Sequence, residues 1–432
     1  MFDSPTTFDV RAVHGWVDLL ATADGAGEPD SALVDALSVL ERLKSAAAAA
    51  QARITMAFDR SQRADCTSES EHRACSRSVA AQVALARHES PHAGNRHLGV
   101  ARALSEEMPC TMESLTRGEI SEWRAHLVVR ETATLSKEHR AAVDEELDGR
   151  LAQMGNRQVA AQARAAGYRL DPTSLLRRTR GAESDRRVTL RPAPDTMTLL
   201  TGFLPVAQGV AVHTALRRHA DYLRSQGDDR STGQIMADTL VARCTGRADA
   251  VGTPVEIQLV MTDHALLGGG DEPALVPGHG PIPAWLGRRL VREADKAWVR
   301  RLFVSPTTRE LVAMASRRRL FPGKLRDFLV LRDEVCRTPW CDAPVRHVDH
   351  PQPHARRGST TWDNAQGLCE NCNYVKETPG WIATAEGSSV TTRSPSAQVH
   401  VTRPPPAPRG RGRPVVVEFY REPTKRPSLP AA

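Results

Sequence analysis

Two short-spaced cysteine pairs bracket the residues of this sequence best suited to chemistry. Cys336 and Cys341 form a C-x4-C pair, and Cys369 and Cys372 a C-x2-C pair. Short spacing within each pair lets a turn aim both sulfurs at one ion, and four soft thiolates suit one tetrahedral zinc with no open position, so such a zinc would be structural. The alternative is two unrelated pairs of buried cysteines, although the other four, Cys66, Cys75, Cys110 and Cys244, show no such pairing. Between and just beyond the pairs stand Asp349, His350, Asn364 and Asn373. A phosphodiester repels an incoming anion, so its hydrolysis needs a base for water and a cation on the phosphate. His350 can accept water's proton near neutrality. Asp349 offers a carboxylate oxygen and Asn373 an amide oxygen to an ion such as Mg2+ or Mn2+, leaving positions for phosphate and water. If 349 and 350 end a strand, they point to opposite sides, one to the metal and one to the water. Asn364 is suited to clamping a loop through its amide. Taken alone, Asp349-His350 fits a hydrogen-bonded turn better than a catalytic pair.

Charged residues surround this segment. Arg356, Arg357 and Lys376 are candidate phosphate contacts, as are Arg317, Arg318, Arg319, Lys324 and Arg326 upstream, each against the alternative of a solvated surface role. His347 and His354 flank the pair and read first as solvated loop histidines. Farther on, Arg409-Gly410-Arg411-Gly412-Arg413-Pro414 resembles the Arg-Gly-Arg-Pro core of an AT-hook, in which glycine lets the backbone lie deep in a narrow minor groove; a solvated linker is the alternative.

The order D-H…N…C-x2-C-N-x2-K, coinciding with the two cysteine pairs over roughly residues 330–380, resembles the HNH endonuclease family. The resemblance implies a ββα-metal fold, with two strands and a helix around one metal. It implies that His350 is the general base, that Asn364 orients the loop carrying it, and that Asp349 and Asn373 are the catalytic-metal ligands. Asn373 stands where the family's last letter is usually His, and Arg357-Gly358 where two glycines are common. Products with 5′-phosphate and 3′-hydroxyl ends are implied as well. The expected function is metal-dependent hydrolysis of DNA, with structural Zn2+, catalytic Mg2+ or Mn2+ and no small-molecule cofactor. A non-catalytic zinc-stabilised DNA-binding protein and an RNA nuclease are the alternatives.

The elements that must position these residues occupy most of the 432-residue chain, long enough for two or three domains. Aromatics make up only 4%, so cores must rest on Ala, Leu and Val. A formal charge of +7 favours an acidic partner, nucleic acid first, without proving one. The acidic start without an apolar core, and the lack of any run of ~18 apolar residues, predict no signal peptide and no membrane span, with the cytoplasm as default location. Residues 33–63 read as a helix whose buried face carries Leu33, Leu37, Leu40, Leu43 and Ala47. Further helices are expected over 76–107, 120–154, 157–166 (ending near Gly167), 206–225, and from Thr232 as its own cap to Cys244. A β-hairpin is expected over 187–204 and a strand over 255–261, with Asp263-His264 at a polar strand end. From Arg300 onward short strands and basic loops are expected, and after Trp381 periodicity fades into a Pro/Arg-rich, disordered tail.

The segments L40-ERLKSAAAAAQARITMAF, L115-TRGEIS, R230-STGQIMADTLV and L302-FVSPTTRELV resemble a bacterial family of unknown function, number 222, whose members commonly precede an HNH module. The expected organisation is α+β: an N-terminal segment (1–30), a mostly helical domain with a small β element (31–305), a ββα-metal nuclease module (306–385) and a flexible basic tail (386–432).

Overall fold

A computed structural model describes residues 9–64, 66–173, 181, 183–246, 259–293 and 323–406. The first helices are α1 (Val10–Ala21), α2 (Asp30–Arg63), α3 (Glu69–Ala86), α4 (Pro91–Glu106), α5 (Pro109–Thr116), α6 (Glu122–Glu131), α7 (Lys137–Leu147) and α8 (Asn156–Leu170). The chain divides into two compact units: Met1–Ser61 with His97–Leu175, and Gln62–Arg96 with Leu176–Ala432.

The first unit is helical. Its core joins Ala49 of α2 to Leu104, Met108, Leu115, Val128, Val143, Leu147 and Val159. Asp144 on α7 accepts from the backbone N–H groups of Cys110 (2.7 Å) and Thr111 (3.0 Å), so its carboxylate caps α5. The helix expected over 120–154 is two: α6 stops at the Thr132 cap, and Ser136 starts α7 by accepting from His139 N–H. Helix α8 continues through Gly167 to Leu170, and Gly167 sits against Leu135. The face expected on α2 is not the one buried: Leu37 (67%), Leu40, Leu43 and Ala47 are exposed and Leu33 is half-buried, whereas Ser45, Ala48, Ala49, Thr55, Met56 and Asp59 are buried. Periodicity reports which face a helix offers, not whether the fold brings anything to cover it.

In the second unit, α3 and α4 replace the single helix expected over 76–107. His88 takes φ 55 and Pro91 opens α4, and proline cannot sit inside a continuing helix. Ser68 and Glu71 form a capping box at α3, and the backbone N–H groups of Thr67 and Ser68 hold the Glu71 carboxyl down to about 2. Gly94 lets α4 cross closely, since a Cβ there would lie 2.1 Å from Ala80 O.

The expected hairpin forms as β1 (Arg187–Pro192) and β2 (Thr198–Phe203), antiparallel with Arg187 opposite Phe203. Its turn puts Asp195 and Thr196 at positive φ, matching strand twist. Helices α9 (Val206–Ser225) and α10 (Thr232–Thr245) follow where expected, but Ser231, not Thr232, caps the second. Of the strand expected over 255–261, residues 255–258 lie outside the described residues, and Val260 makes one bridge to Leu275. Asp263-His264 begins α11 (Asp263–Leu267), capped by Thr262, instead of ending a strand. His264 there faces Glu272. A small hairpin of β3 (Ala274–Val276) and β4 (Gly280–Ile282) leads to α12 (Ala284–Glu293).

Of the short strands and basic loops expected from Arg300 onward, residues 300–322 lie outside the described residues. From 323 the chain forms a helix the expectation lacked, α13 (Gly323–Asp333), then short strands β5 (His347–Asp349) and β6 (Gln366–Leu368) and helix α14 (Glu370–Lys376). Beyond Trp381 the chain forms an antiparallel sheet of β7 (Ile382–Glu386), β8 (Ser389–Arg393) and β9 (Val399–Thr402), where fading periodicity predicted none. Helix α3 packs on this part. The Trp381 indole N–H donates to Ser78 Oγ at 2.8 Å, and Ser396 N–H to Gln82 Oε1 at 3.0 Å.

A buried ionic hub joins these pieces. The Asp333 carboxylate accepts from Arg332 (2.7 and 3.0 Å), Arg337 (3.1 Å) and Gly367 N–H (2.6 Å). Arg332 also bonds the carbonyls of Trp362 and Ala365, and Arg337 those of Ser388 and Thr402. Removing the anion alone strands two buried guanidiniums, so Asp333→Ala is expected to cost about 3–5 kcal/mol in denaturant unfolding of the full chain. A cost below about 1 kcal/mol would mean the hub is not holding the module.

Candidate active site

The antiparallel register Val348↔Gly367 and Asp349↔Gln366 sets the direction of each side chain on β5. Val348 turns toward α13, against the cluster of Leu325, Leu329 and Ala365. Asp349 turns toward α14 and accepts a short hydrogen bond from Lys376 Nζ. Two strands with a helix on each face are thus in place, and α14 supplies the side that faces Asp349.

His350 is the first residue past β5 and is buried, 7% exposed. Its Nε2 lies 2.9 Å from Thr360 Oγ1, and its ring sits edge-on to His354, centroids 5.9 Å apart. The loop that follows passes through a short 3-10 turn at His354–Arg356 and returns at Ser359. Asn364 ties both ends of this loop. Its Oδ1 accepts from Gln352 N–H at 3.0 Å, while its Nδ2 donates to the carbonyls of Gln352 (3.1 Å) and Ser359 (2.8 Å). Gly358 permits the crossing, because a Cβ there would lie 1.9 Å from Gln352 O. Arg357 before it takes φ 64, a conformation that glycine adopts more cheaply.

Asn373 is half-buried and lies three residues before Lys376 on α14, so the two share a helix face. Lys376 joins Asp349 on one side of the hairpin, with His350 following Asp349 in the chain, and Asn373 stands one turn before Lys376 on the same helix. Lys376, expected as a phosphate contact or else a solvated surface residue, is drawn inward. Its side chain is only 12% exposed and is bonded to Asp349 and, at 2.9 Å, to Glu377. Arg356 and Arg357 are exposed, as are His347 and His354. Arg326 donates to Arg346 O at 3.3 Å. Arg317, Arg318, Arg319, the Lys324 side chain and the 409–414 tract lie outside the described residues.

All four cysteines of the paired motifs are buried, with sulfurs within 4.8 Å of one another. Cys341 Sγ is 3.8 Å from Cys369 Sγ and 3.7 Å from Cys372 Sγ. Sulfurs about 2.3 Å from one tetrahedral ion stand about 3.8 Å apart, so the set fits zinc. The separations are far too long for disulfides. Hydrogen bonds among the four groups push the Cys341 and Cys372 thiols up and hold Cys336 and Cys369 down. Four thiolates this close need a cation between them. Cys369 also caps α14, accepting from Cys372 N–H at 3.4 Å, so the metal knuckle and the helix carrying Asn373 share a residue.

Sequence reasoning missed Thr360 and the Asp333 hub. The adjacent Arg332-Asp333, with Arg337 next to the first zinc cysteine, was the available signal, because charges inside a compact metal knuckle must be paired.

The family model described as domain of unknown function (DUF222) matches residues 37–333, and the model described as HNH endonuclease matches residues 335–378. Neither a curated protein nor a solved structure matches the chain. An HNH endonuclease domain points to a nuclease, a hydrolase of phosphodiester bonds, with nucleic acid as substrate. Among the described residues no helix is long and apolar enough to cross a membrane.

Proposed function

We propose that this chain, which belongs to the DUF222 family and carries an HNH endonuclease domain, is a metal-dependent endonuclease that hydrolyses DNA. The observation carrying this reading is the placement of Asp349 against Lys376 of α14, at the end of the strand that leads directly into buried His350; Asn373 is assigned beside them from its position one turn before Lys376. His350 accepts the proton of the attacking water, and Thr360 Oγ1 holds its ring. Asn364 keeps the His350 loop closed. Asp349 and Asn373 would hold a divalent ion such as Mg2+ or Mn2+; such an ion supplies charge stabilisation to phosphate and leaving oxygen. Arg356 and Arg357 are exposed where a backbone phosphate would pass. The zinc ligands Cys336, Cys341, Cys369 and Cys372 hold the knuckle and stay outside the chemistry.

The alternative, a zinc-stabilised DNA-binding protein without catalysis, draws on the same Lys376–Asp349 pair if the ammonium never yields. Plasmid nicking by the zinc-loaded full chain separates the two. Relaxed circles are expected with Mg2+ or Mn2+, and about 10²-fold fewer with Asp349→Asn. No nicking with either metal, or equal nicking by the variant, would leave only binding. A structured RNA in the same assay reads substrate preference.

A further inference from the structure

Lys376 Nζ lies against the one carboxylate of the candidate site that a divalent ion would use. It is held there from several directions. Its side chain is 12% exposed, and that of Asp349 is 27% exposed. It closes α14, where the helix dipole favours a cation. Glu377, whose side chain is 67% exposed, offers a second carboxylate at 2.9 Å. Asn373, three residues earlier on the same face, would share any ion that Asp349 bound.

We propose that Lys376 is a built-in competitor for the divalent ion: its ammonium fills the cation position on Asp349, so the ion binds only by displacing it. The proposal rests on the reading of Asp349 as a metal ligand. A dication and an ammonium contacting the same carboxylate oxygen repel each other strongly at contact distance. The four-carbon stem of lysine lets the ammonium leave without moving the helix, and Glu377 provides a place to go. The device has two consequences. Without metal, Asp349 is neutralised and held in place. With metal, the affinity of the site is lowered by whatever the ion pair is worth, so Lys376 sets the metal concentration at which the site fills. In that role Lys376 is a specificity-determining residue and not one of the reacting groups.

Mn2+ binding to the zinc-loaded full chain, followed by the electron paramagnetic resonance of free Mn2+, tests this without any activity readout. Lys376→Met keeps the stem and removes the charge, and is expected to bind Mn2+ roughly five- to tenfold more tightly than wild type. Lys376→Arg keeps the charge and is expected to stay near wild type. Asp349→Asn is expected to weaken binding at least about tenfold. If Asp349→Asn weakens binding but Lys376→Met leaves it unchanged or weaker, the competitor role is overturned and the metal assignment stands. If Asp349→Asn binds like wild type, the metal assignment itself falls. Zinc content and thermal melting of each variant establish that it is folded. Should Lys376→Met fail that check, Lys376→Gln takes its place with the same expectation.

Discussion

Replacing His350 with alanine is expected to slow plasmid nicking by about 10²–10⁴-fold, the range a positioned general base contributes. The imidazole is buried and bonded to Thr360 Oγ1, so the substitution also leaves that hydroxyl without a ring partner. The stability cost of one stranded buried hydroxyl is about 1–3 kcal/mol, within the roughly 5–15 kcal/mol that folded domains hold in reserve. Zinc content is therefore expected to match wild type, and the melting temperature to fall only modestly. The loss should appear at saturating metal, because His350 is not assigned to hold the ion. Nicking within tenfold of wild type by a folded, zinc-loaded variant would remove His350 from the mechanism.

Loss of a zinc thiolate is expected to have the largest structural effect. Apparent binding free energies of structural zinc are roughly 10–16 kcal/mol at neutral pH, comparable to the whole stability of a domain. Cys372→Ser removes one of the four clustered thiols but keeps the backbone N–H that donates to the capping Cys369 sulfur, so it strikes α14 only through loss of the metal. Zinc per chain is expected to fall from one toward zero. Hydrogen exchange is expected to show lost protection across β5, β6 and α14, while α6, α7 and α8 keep theirs. The same loss should follow acidification of the wild type. Thiols must release protons to bind zinc, so the stabilisation is present at neutral pH and fades as pH falls. A zinc-free variant with wild-type protection in β5 and β6 would show that packing alone holds the knuckle.

What could be read from residue order and what could not divide along physical lines. Cys336, Cys341, Cys369 and Cys372 announced a shared ion because ligands within each pair are neighbours in the chain. Asn364 could be read as a clamp because its amide offers both donor and acceptor, and its amide bonds Gln352 and Ser359 at the two ends of the loop. Thr360 could not be picked out, since a hydroxyl facing a histidine ten residues away leaves no mark in local spacing. The Lys376–Asp349 pair was invisible for the same reason, so Lys376 was weighed only as a phosphate contact or a solvated surface residue. Helix breaks at His88 and Thr132 lay inside patterns that remain helical in composition on both sides. The β7–β9 sheet uses short strands of Thr, Ser, Ala and Val with weak alternation, so its existence depends on partners rather than on pattern.

Helix α3 lies well inside the span matched by DUF222, yet its Ser78 and Gln82 complete the surroundings of Trp381 and Ser396. A recombinant fragment starting at residue 323 would therefore carry the catalytic letters but present a bare apolar flank and two widowed polar groups to solvent. Grafting the cysteine knuckle onto a foreign scaffold would meet the same difficulty. A boundary drawn at residue 334 severs these two hydrogen bonds, so a fragment that brings residues 66–96 with it is expected to melt higher than one that starts at 323.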